Sequence, residues 1–312
     1  MPQSLKGVFC PTLTPVDRDL EQNLGAFIGH CRRLLDEGCH GLAVYGTTSE
    51  ANSFSVEERM AGLEALVEAG LPAARIIPGT GCCALTDSVR LTAHAVRLGC
   101  AGVLMLPPFY YKGVGDDGLF KGFAEVIERV GDDRLRVYLY HIPPVSSVPF
   151  SLALVERLVG AYPETVIGLK DSSGDWSYTD ALLRALPGFG AFSGSEVFLL
   201  ANLRAGGVGC ITASANVNAP AIRRLYDHWS GADADAMQED LSRRRQIIQA
   251  SPLIPSLKRI LAHHLGDEGW CNLRPPLMPL DAAQAARLIA DLDGDGFAMS
   301  SSPASTPAVA SA

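Results

Sequence analysis

Residues 136–171 read R-V-Y-L-Y-H-I-P-P-V-S-S-V-P-F-S-L-A-L-V-E-R-L-V-G-A-Y-P-E-T-V-I-G-L-K-D. A short apolar run, Arg136–His141, passes through a Pro/Ser-rich turn into an amphipathic segment at Leu152–Ala161. A second apolar run, Val166–Asp171, closes the stretch. Ser151, two residues after Pro149, is a helix-start signal. Two strand-length runs joined by one helix-length segment make a βαβ unit, whose strands are parallel and whose crossover is right-handed.

The same alternation extends in both directions. Strand-like runs at Gly7–Thr14, Gly41–Tyr45, Arg75–Gly79 and Gly102–Leu106 come before, and Gly190–Ser193 and Gly209–Thr212 come after, which makes eight. Helical patterns lie between them at Leu24–Asp36, Val56–Ala69, Thr86–Leu98, Leu119–Val130, Tyr178–Ala185 and Val197–Ala205. Leu91, Ala95 and Leu98 show the helical recurrence, and Ser55 with Glu58 forms a capping box. Eight βα units predict an α/β fold, a closed (β/α)8 TIM barrel over residues 1–225. The alternative is a doubly wound open sheet. It is weaker because no G-x-G-x-x-G follows the first strand, and Gly79-Thr80-Gly81 reads as a tight turn.

After Thr212 the pattern is wholly helical, at Pro220–Trp229, Ala232–Gln249, Pro255–His264 and Ala282–Asp291. These segments predict the last barrel helix and a C-terminal helical region over 226–298. Residues 299–312 are nearly all Ser, Ala and Pro, the composition of a disordered tail.

Composition narrows the function classes. The chain has 312 residues, 47% hydrophobic and 19% charged, enough apolar material for a large core. Twenty-six basic against 34 acidic residues leave a net charge of −8, which argues against nucleic acid as a partner. The run Arg243-Arg244-Arg245 reads as a solvated helix face. Met1 to Thr14 lacks the apolar core of a signal peptide, and no stretch reaches the roughly 18 apolar residues that span a bilayer. Eight cysteines without a C-x-x-C pair read as reduced thiols of a cytoplasmic protein, with neither a disulfide frame nor a zinc site.

In such a barrel the chemistry sits at the C-terminal ends of the strands. Lys170 is the sharpest residue there. The chain has five lysines against 21 arginines, and Lys170 alone ends an apolar strand. It shares a strand face with Gly168, which leaves room for a long stem. An amine held away from water favours its neutral form and attacks a carbonyl. The competing reading is an electrostatic anchor for a carboxylate or phosphate. Tyr140 ends the neighbouring run, within reach of Lys170 across a strand spacing of about 4.8 Å. It is either a proton carrier or a core tyrosine with a satisfied hydroxyl. Gly46-Thr47-Thr48-Ser49-Glu50 follows the second strand and offers donors to a carboxylate, although the same residues suit helix capping.

Five strings occur in order. They are G-T-T-S-E at 46–50, P-P-F-Y-Y at 107–111, Y-H-I-P at 140–143, G-L-K-D-S-S-G-D at 168–175 and G-S-E at 194–196. Together they resemble the dihydrodipicolinate synthase/N-acetylneuraminate lyase family from about residue 5 to residue 290. The resemblance implies class I, metal-free and cofactor-free chemistry through a lysine–pyruvate imine, in a homotetramer or homodimer. It implies that Lys170 forms the imine, that Tyr140 transfers protons, and that Thr47 and Thr48 hold the pyruvate carboxylate. Thr47 would link Tyr140 to a tyrosine of a neighbouring subunit, matched by Tyr111, with Tyr110 as the other candidate. Ile211 matches a residue whose main-chain carbonyl faces the site, and Gly194 falls among the substrate-binding positions.

The departures from the family bear on the substrate. Dihydrodipicolinate synthases carry an arginine five residues after the strand tyrosine, where this chain has Val145. An apolar side chain cannot offset a carboxylate's desolvation, which disfavours 4-hydroxy-tetrahydrodipicolinate synthase as the activity. Sialate lyases place acidic and hydroxyl residues around the last two strands, a set that Gly194-Ser195-Glu196-Val197 and Ala213-Ser214-Ala215 match poorly. Ser49 stands where a glycine is usual. His141 stands where an asparagine is common, and strand alternation points it away from Tyr140. The expectation is a lyase acting on a sugar-acid-like or 4-hydroxy-2-oxo acid by aldol cleavage, addition or dehydration. A non-catalytic 2-oxo-acid-binding oligomer is the other class.

Two motifs are decoys. Asp291-Leu292-Asp293-Gly294-Asp295-Gly296 resembles the start of a calcium loop, but Ser302 occupies the twelfth position that needs a bidentate glutamate. His263 and His264 are adjacent, so on a helix they diverge by about 100° and form no zinc pair.

Overall fold

The computed structural model describes residues 4–299. In chain order the barrel half runs β1 (Gly7–Cys10), α1 (Leu24–Asp36), β2 (Gly41–Leu42), α2 (Val56–Glu68), α3 (Leu85–Arg97), β3 (Val103–Met105), α4 (Asp116–Val130), β4 (Val137–His141), the short α5 (Pro143–Ser146), α6 (Leu152–Ala161) and β5 (Val166–Asp171). It continues with α7 (Trp176–Ala185), β6 (Gly190–Ser193), α8 (Leu199–Arg204), β7 (Gly209–Ile211) and α9 (Ala215–Asp227). Three helices follow: α10 (Ala234–Gln249), α11 (Leu253–Leu265) and α12 (Ala282–Gly294). Most of the segment expected as a tail, from Ser300 on, lies outside the described residues.

All pairings in the sheet are parallel, in the order β2-β1-β7-β6-β5-β4-β3. The expectation of eight strands is corrected to seven among the described residues. The run 75–79 lies between β2 and β3 and joins them by single bridges, Ile76 to Leu42 and Gly79 to Leu104. The Ile77 and Gly79 amides donate to the Leu42 and Val44 carbonyls at 2.9 and 2.8 Å, and Leu104 N–H donates to Pro78 O at 2.9 Å. Pro78 has no N–H, so the ladder is interrupted where a strand was expected while the ring is still joined through this segment.

Strand alternation sorts side chains into two layers. Phe9, Leu104, Tyr138, Tyr140, Phe192 and Ile211 gather in the barrel interior. Val8, Val137, Leu139, Val166 and Leu169 face the surrounding helices. The capping box of α2 forms as expected, with Glu58 N–H donating to Ser55 Oγ at 3.1 Å and Ser55 N–H to the Glu58 carboxylate at 2.7 Å. Ser151 caps α6. Helix α9 begins at Ala215, before the expected Pro220, and is kinked at Asn218.

The C-terminal helices add a second core over the strand ends. Leu13, Ala213 and Val217 meet Ile248, Leu257, Leu261 and Leu288 there. Each of the Leu, Ile and Val side chains there stabilises by ~1.5–3 kcal/mol on burial, which fixes α10 and α11 against the barrel mouth. The eight cysteines are all free, and four of them are buried. Among the described residues no helix is long and apolar enough to cross a membrane.

Candidate active site

Strands β4 and β5 place the central pair. Their register sets Tyr140 opposite Lys170 and Tyr138 opposite Gly168. Both Tyr140 and Lys170 point inward, each 3% exposed. Lys170 Nζ donates to Tyr140 Oη at 3.2 Å and lies 4.3 Å from the centre of that ring. Tyr140 Oη in turn donates to Thr47 Oγ1 at 3.3 Å, so an amine, a phenol and an alcohol form one chain. Among the described residues no carboxylate pairs with Lys170, whereas Lys258 has one.

Gly168 serves a different purpose from the one expected. A Cβ there would lie 2.5 Å from the Tyr138 ring and 2.6 Å from Gly190 O, so its small size admits Tyr138 and not the lysine stem. Tyr138 Oη accepts from Leu5 N–H at 2.8 Å, and this ring fills the layer beneath the reactive pair.

Thr47 and Thr48 sit in a tight turn after β2. Ser49 and Glu50 N–H donate to Gly46 and Thr47 O, both at 3.1 Å. Left-handed residues flank the turn, Tyr45 at φ 54° and Glu50 at φ 58°. Non-glycine residues in that region carry about 1–3 kcal/mol of strain and persist only when surroundings hold them. Tyr45 Oη accepts from Gln22 Nε2 at 2.5 Å. The Glu50 carboxylate pairs with Lys258 of α11 at 2.5 Å, both side chains wholly buried, and also accepts from Arg274 N–H at 3.1 Å. Lys258 further donates to Asn272 O at 2.8 Å. Thus the C-terminal region grips the turn that bears the threonines. Ser49 Oγ donates to Thr12 O at 2.5 Å, a bond a glycine would lack.

Lys170, Tyr140, Thr47, Thr48 and Gly194 line one cavity of about 570 Å³. Ile211 is buried in the barrel interior and is not among the lining residues, while Ala213 two positions on is. Tyr110 and Tyr111 are also apart from it, 74% and 73% exposed and packed edge to face at 5.4 Å. His141 faces outward as expected. It stacks on Tyr178 at 4.1 Å and its Nδ1 accepts from Phe150 N–H at 3.0 Å. Burial pushes its imidazole down and Asp171 pulls it partly back.

The arginine run is corrected. Arg243 and Arg244 both pair with Asp295, in the stretch that resembled a calcium loop. Arg245 turns inward, lines the cavity and meets the Glu196 carboxylate at 3.2 Å. Thr212 and Ser214 hydroxyls donate to the same carboxylate. Glu196, Thr212 and Ser214 thus gather at the ends of β6 and β7 but are not among the cavity-lining residues, where Ser195 and Ala213 stand. A run of three arginines carries no signal for which one turns in; the docking of α10 decides it. No three His, Cys, Asp or Glu side chains come together as a metal site among the described residues.

Comparison with known proteins agrees with this architecture. The model of the dihydrodipicolinate synthetase family matches residues 4–294. The chain is 35% identical over 285 residues to an uncharacterized DapA-like lyase of Chloroflexus aurantiacus, covering 91% of this chain and 94% of that one. It superposes on dihydrodipicolinate synthase from Agrobacterium tumefaciens with a TM-score of 0.87 at 31% identity, covering 93% of this chain and 99% of the other. The 2-keto-3-deoxygluconate aldolase of Sulfolobus solfataricus shares the fold at a TM-score of 0.83 and 22% identity, over 92% and 95% of the two chains. A TIM-barrel architecture joined to these matches over nearly the whole described chain places the protein in the dihydrodipicolinate synthetase family.

Proposed function

We propose that the protein is a class I lyase that binds 2-oxo acids covalently through Lys170. The observation that carries this reading is the chain from Lys170 Nζ to Tyr140 Oη to Thr47 Oγ1, at 3.2 and 3.3 Å, opening on a cavity in which, among the described residues, no carboxylate is bonded to the lysine. A lysine kept only for structure would be expected to have a buried acidic partner, as Lys258 has in Glu50.

The reaction follows from these groups. The Lys170 amine attacks C2 of the 2-oxo acid and forms a C–N bond. Tyr140 relays one proton from the attacking nitrogen to the former carbonyl oxygen and then gives its own, so that the oxygen leaves as water and a protonated imine remains. In a 4-hydroxy-2-oxo acid the C4 hydroxyl then gives up its proton to the Tyr140 phenolate and the C3–C4 bond breaks. Its electron pair passes into the imine as an enamine, and an aldehyde departs. Protonation at C3 and attack of water at C2 release pyruvate and free the lysine. The reverse order is aldol addition. Loss of the C3 proton followed by departure of the C4 hydroxyl is dehydration through the same imine. Thr47 and Thr48 hold the carboxylate. The reading needs no metal or cofactor, and the exposed Tyr110–Tyr111 pair would serve a neighbouring copy in a homodimer or homotetramer.

Borohydride reduction in the presence of pyruvate, read by intact mass and peptide mapping, tests the proposal. A reduced pyruvate adduct on Lys170, absent from a folded Lys170→Ala variant, is the expected result. Pyruvate binding without an adduct would instead mark a non-catalytic 2-oxo-acid binder.

A further inference from the structure

The cavity is much larger than a three-carbon acid needs, at about 570 Å³, within the range that holds drug-sized ligands. The chemistry of the rest of its wall therefore indicates what the second half of the substrate is. Beyond Lys170, Tyr140 and the two threonines, the lining includes Val145, Val197, Phe198, Leu253, Ile254 and Leu277. Phe198 stacks on Trp176, with ring centres 6.2 Å apart and planes at 21°, which makes that side of the wall aromatic and firm.

The charged groups nearby are engaged with one another. Glu196 accepts from Thr212, Ser214 and Arg245, which occupies both carboxylate oxygens. Arg245 Nε donates to Gln249 Oε1 at 3.0 Å. Glu196 neutralises Arg245, so this wall presents no uncompensated cation to a second carboxylate. The Asp171 carboxylate is likewise committed, accepting from Ser173 N–H at 2.8 Å and from the Thr179 hydroxyl at 2.5 Å. Ser172 and Ser195 remain as hydroxyls beside Gly194, and Ser195 Oγ already accepts from Val197 N–H at 3.3 Å. Ser172, Ser195 and the Gln249 amide offer few partners against six apolar side chains, so a polyhydroxylated chain would leave most of its hydroxyls unpaired on this wall, which is unfavourable.

We infer that the fragment joined to or released from the pyruvate carbons is apolar, an aryl or branched-alkyl aldehyde. This rests on the imine reading above and narrows its 4-hydroxy-2-oxo acid to one with an apolar group at C4. The carboxylate end sits on Thr47 and Thr48, and the aldehyde's side chain lies against Phe198, Ile254 and Leu277. Transfer of apolar surface from water drives that contact, and discrimination by such a pocket runs to about 10–200-fold per methylene-sized difference.

The test supplies pyruvate with benzaldehyde, isovaleraldehyde, glyceraldehyde or succinic semialdehyde, and measures initial rates of 4-hydroxy-2-oxo acid formation by mass spectrometry. Expected is a kcat/KM for the two apolar aldehydes at least about tenfold above the polar ones. Ile254→Asn should shrink that ratio about fivefold or more, and Leu277→Asn serves if the first variant does not fold. Preference for glyceraldehyde or succinic semialdehyde overturns the inference, as does condensation with none of the four. Borohydride trapping on the same samples separates the two levels. An adduct on Lys170 with the wrong preference refutes the apolar pocket alone, whereas no adduct refutes the imine reading and this inference with it.

Discussion

Lys258→Met breaks the buried ion pair that fastens the threonine turn to α11. The substitution keeps the length of the stem and removes the ammonium. Glu50 is then left wholly buried with Arg274 N–H, at 3.1 Å, as its remaining partner, and Asn272 O loses its donor. Removing one partner of such a pair costs about 3–5 kcal/mol, because a charge stays buried without compensation. An unfolding entropy of ~2.1 cal/mol/K per residue, over about 300 residues, gives ~0.6 kcal/mol/K, so Tm should fall by ~5–8 °C. Thermal unfolding at neutral pH and fixed protein concentration reads this directly, with the buried Trp270 as a fluorescent reporter. Adding Glu50→Gln removes the stranded charge and should restore ~2–3 kcal/mol of the loss as a positive coupling. The pyruvate concentration for half-maximal borohydride trapping should rise as well, since Glu50 stands three residues from Thr47 in left-handed backbone. A single variant with Tm within ~1 °C of the wild type, or a double variant no more stable than the single, would refute the reasoning.

Other perturbations address other links. Tyr140→Phe removes the hydroxyl between Lys170 and Thr47 and should slow imine formation by about 10²–10⁴-fold, read from the time course of adduct trapping; an unchanged rate would dismiss Tyr140 as a proton carrier. Gly168→Ala forces a methyl to within 2.5 Å of the Tyr138 ring and should cost about 1–3 kcal/mol in urea unfolding, with a weaker adduct because Lys170 lies two residues on. Burial, reinforced by Arg33, pushes His30 from 6.5 down to about 3. Its folded form refuses a proton that the unfolded chain accepts, so the stability from this site is complete above pH 6.5 and declines toward about pH 3. The urea midpoint of a His30→Gln variant should vary less with pH across that interval, and an identical slope would exclude His30 as the cause.

Some of these features were already legible along the chain. The alternation of apolar runs and amphipathic segments depends on neighbours two, three or four residues apart, so it specified parallel strands, outer helices and strand ends. Lys170 and Tyr140 stood out for the same reason, each ending an apolar run, and strand spacing alone put them within reach of each other. Outward-facing His141 followed from strict alternation. Tertiary structure decided the rest. Pro78 turned an expected strand into a pair of bridges because a missing N–H matters only where a partner strand waits. Gly168 made room for a ring on the adjacent strand and not for the lysine two residues away. Arg245 is chemically identical to Arg243 and Arg244, and only the rotation at which α10 docks sends it to Glu196 while its neighbours reach Asp295. Glu50 and Lys258 lie 208 positions apart and meet with no solvent between them. Local periodicity sets which face of an element is apolar, but the match between two distant faces arises only when packing removes the water between them.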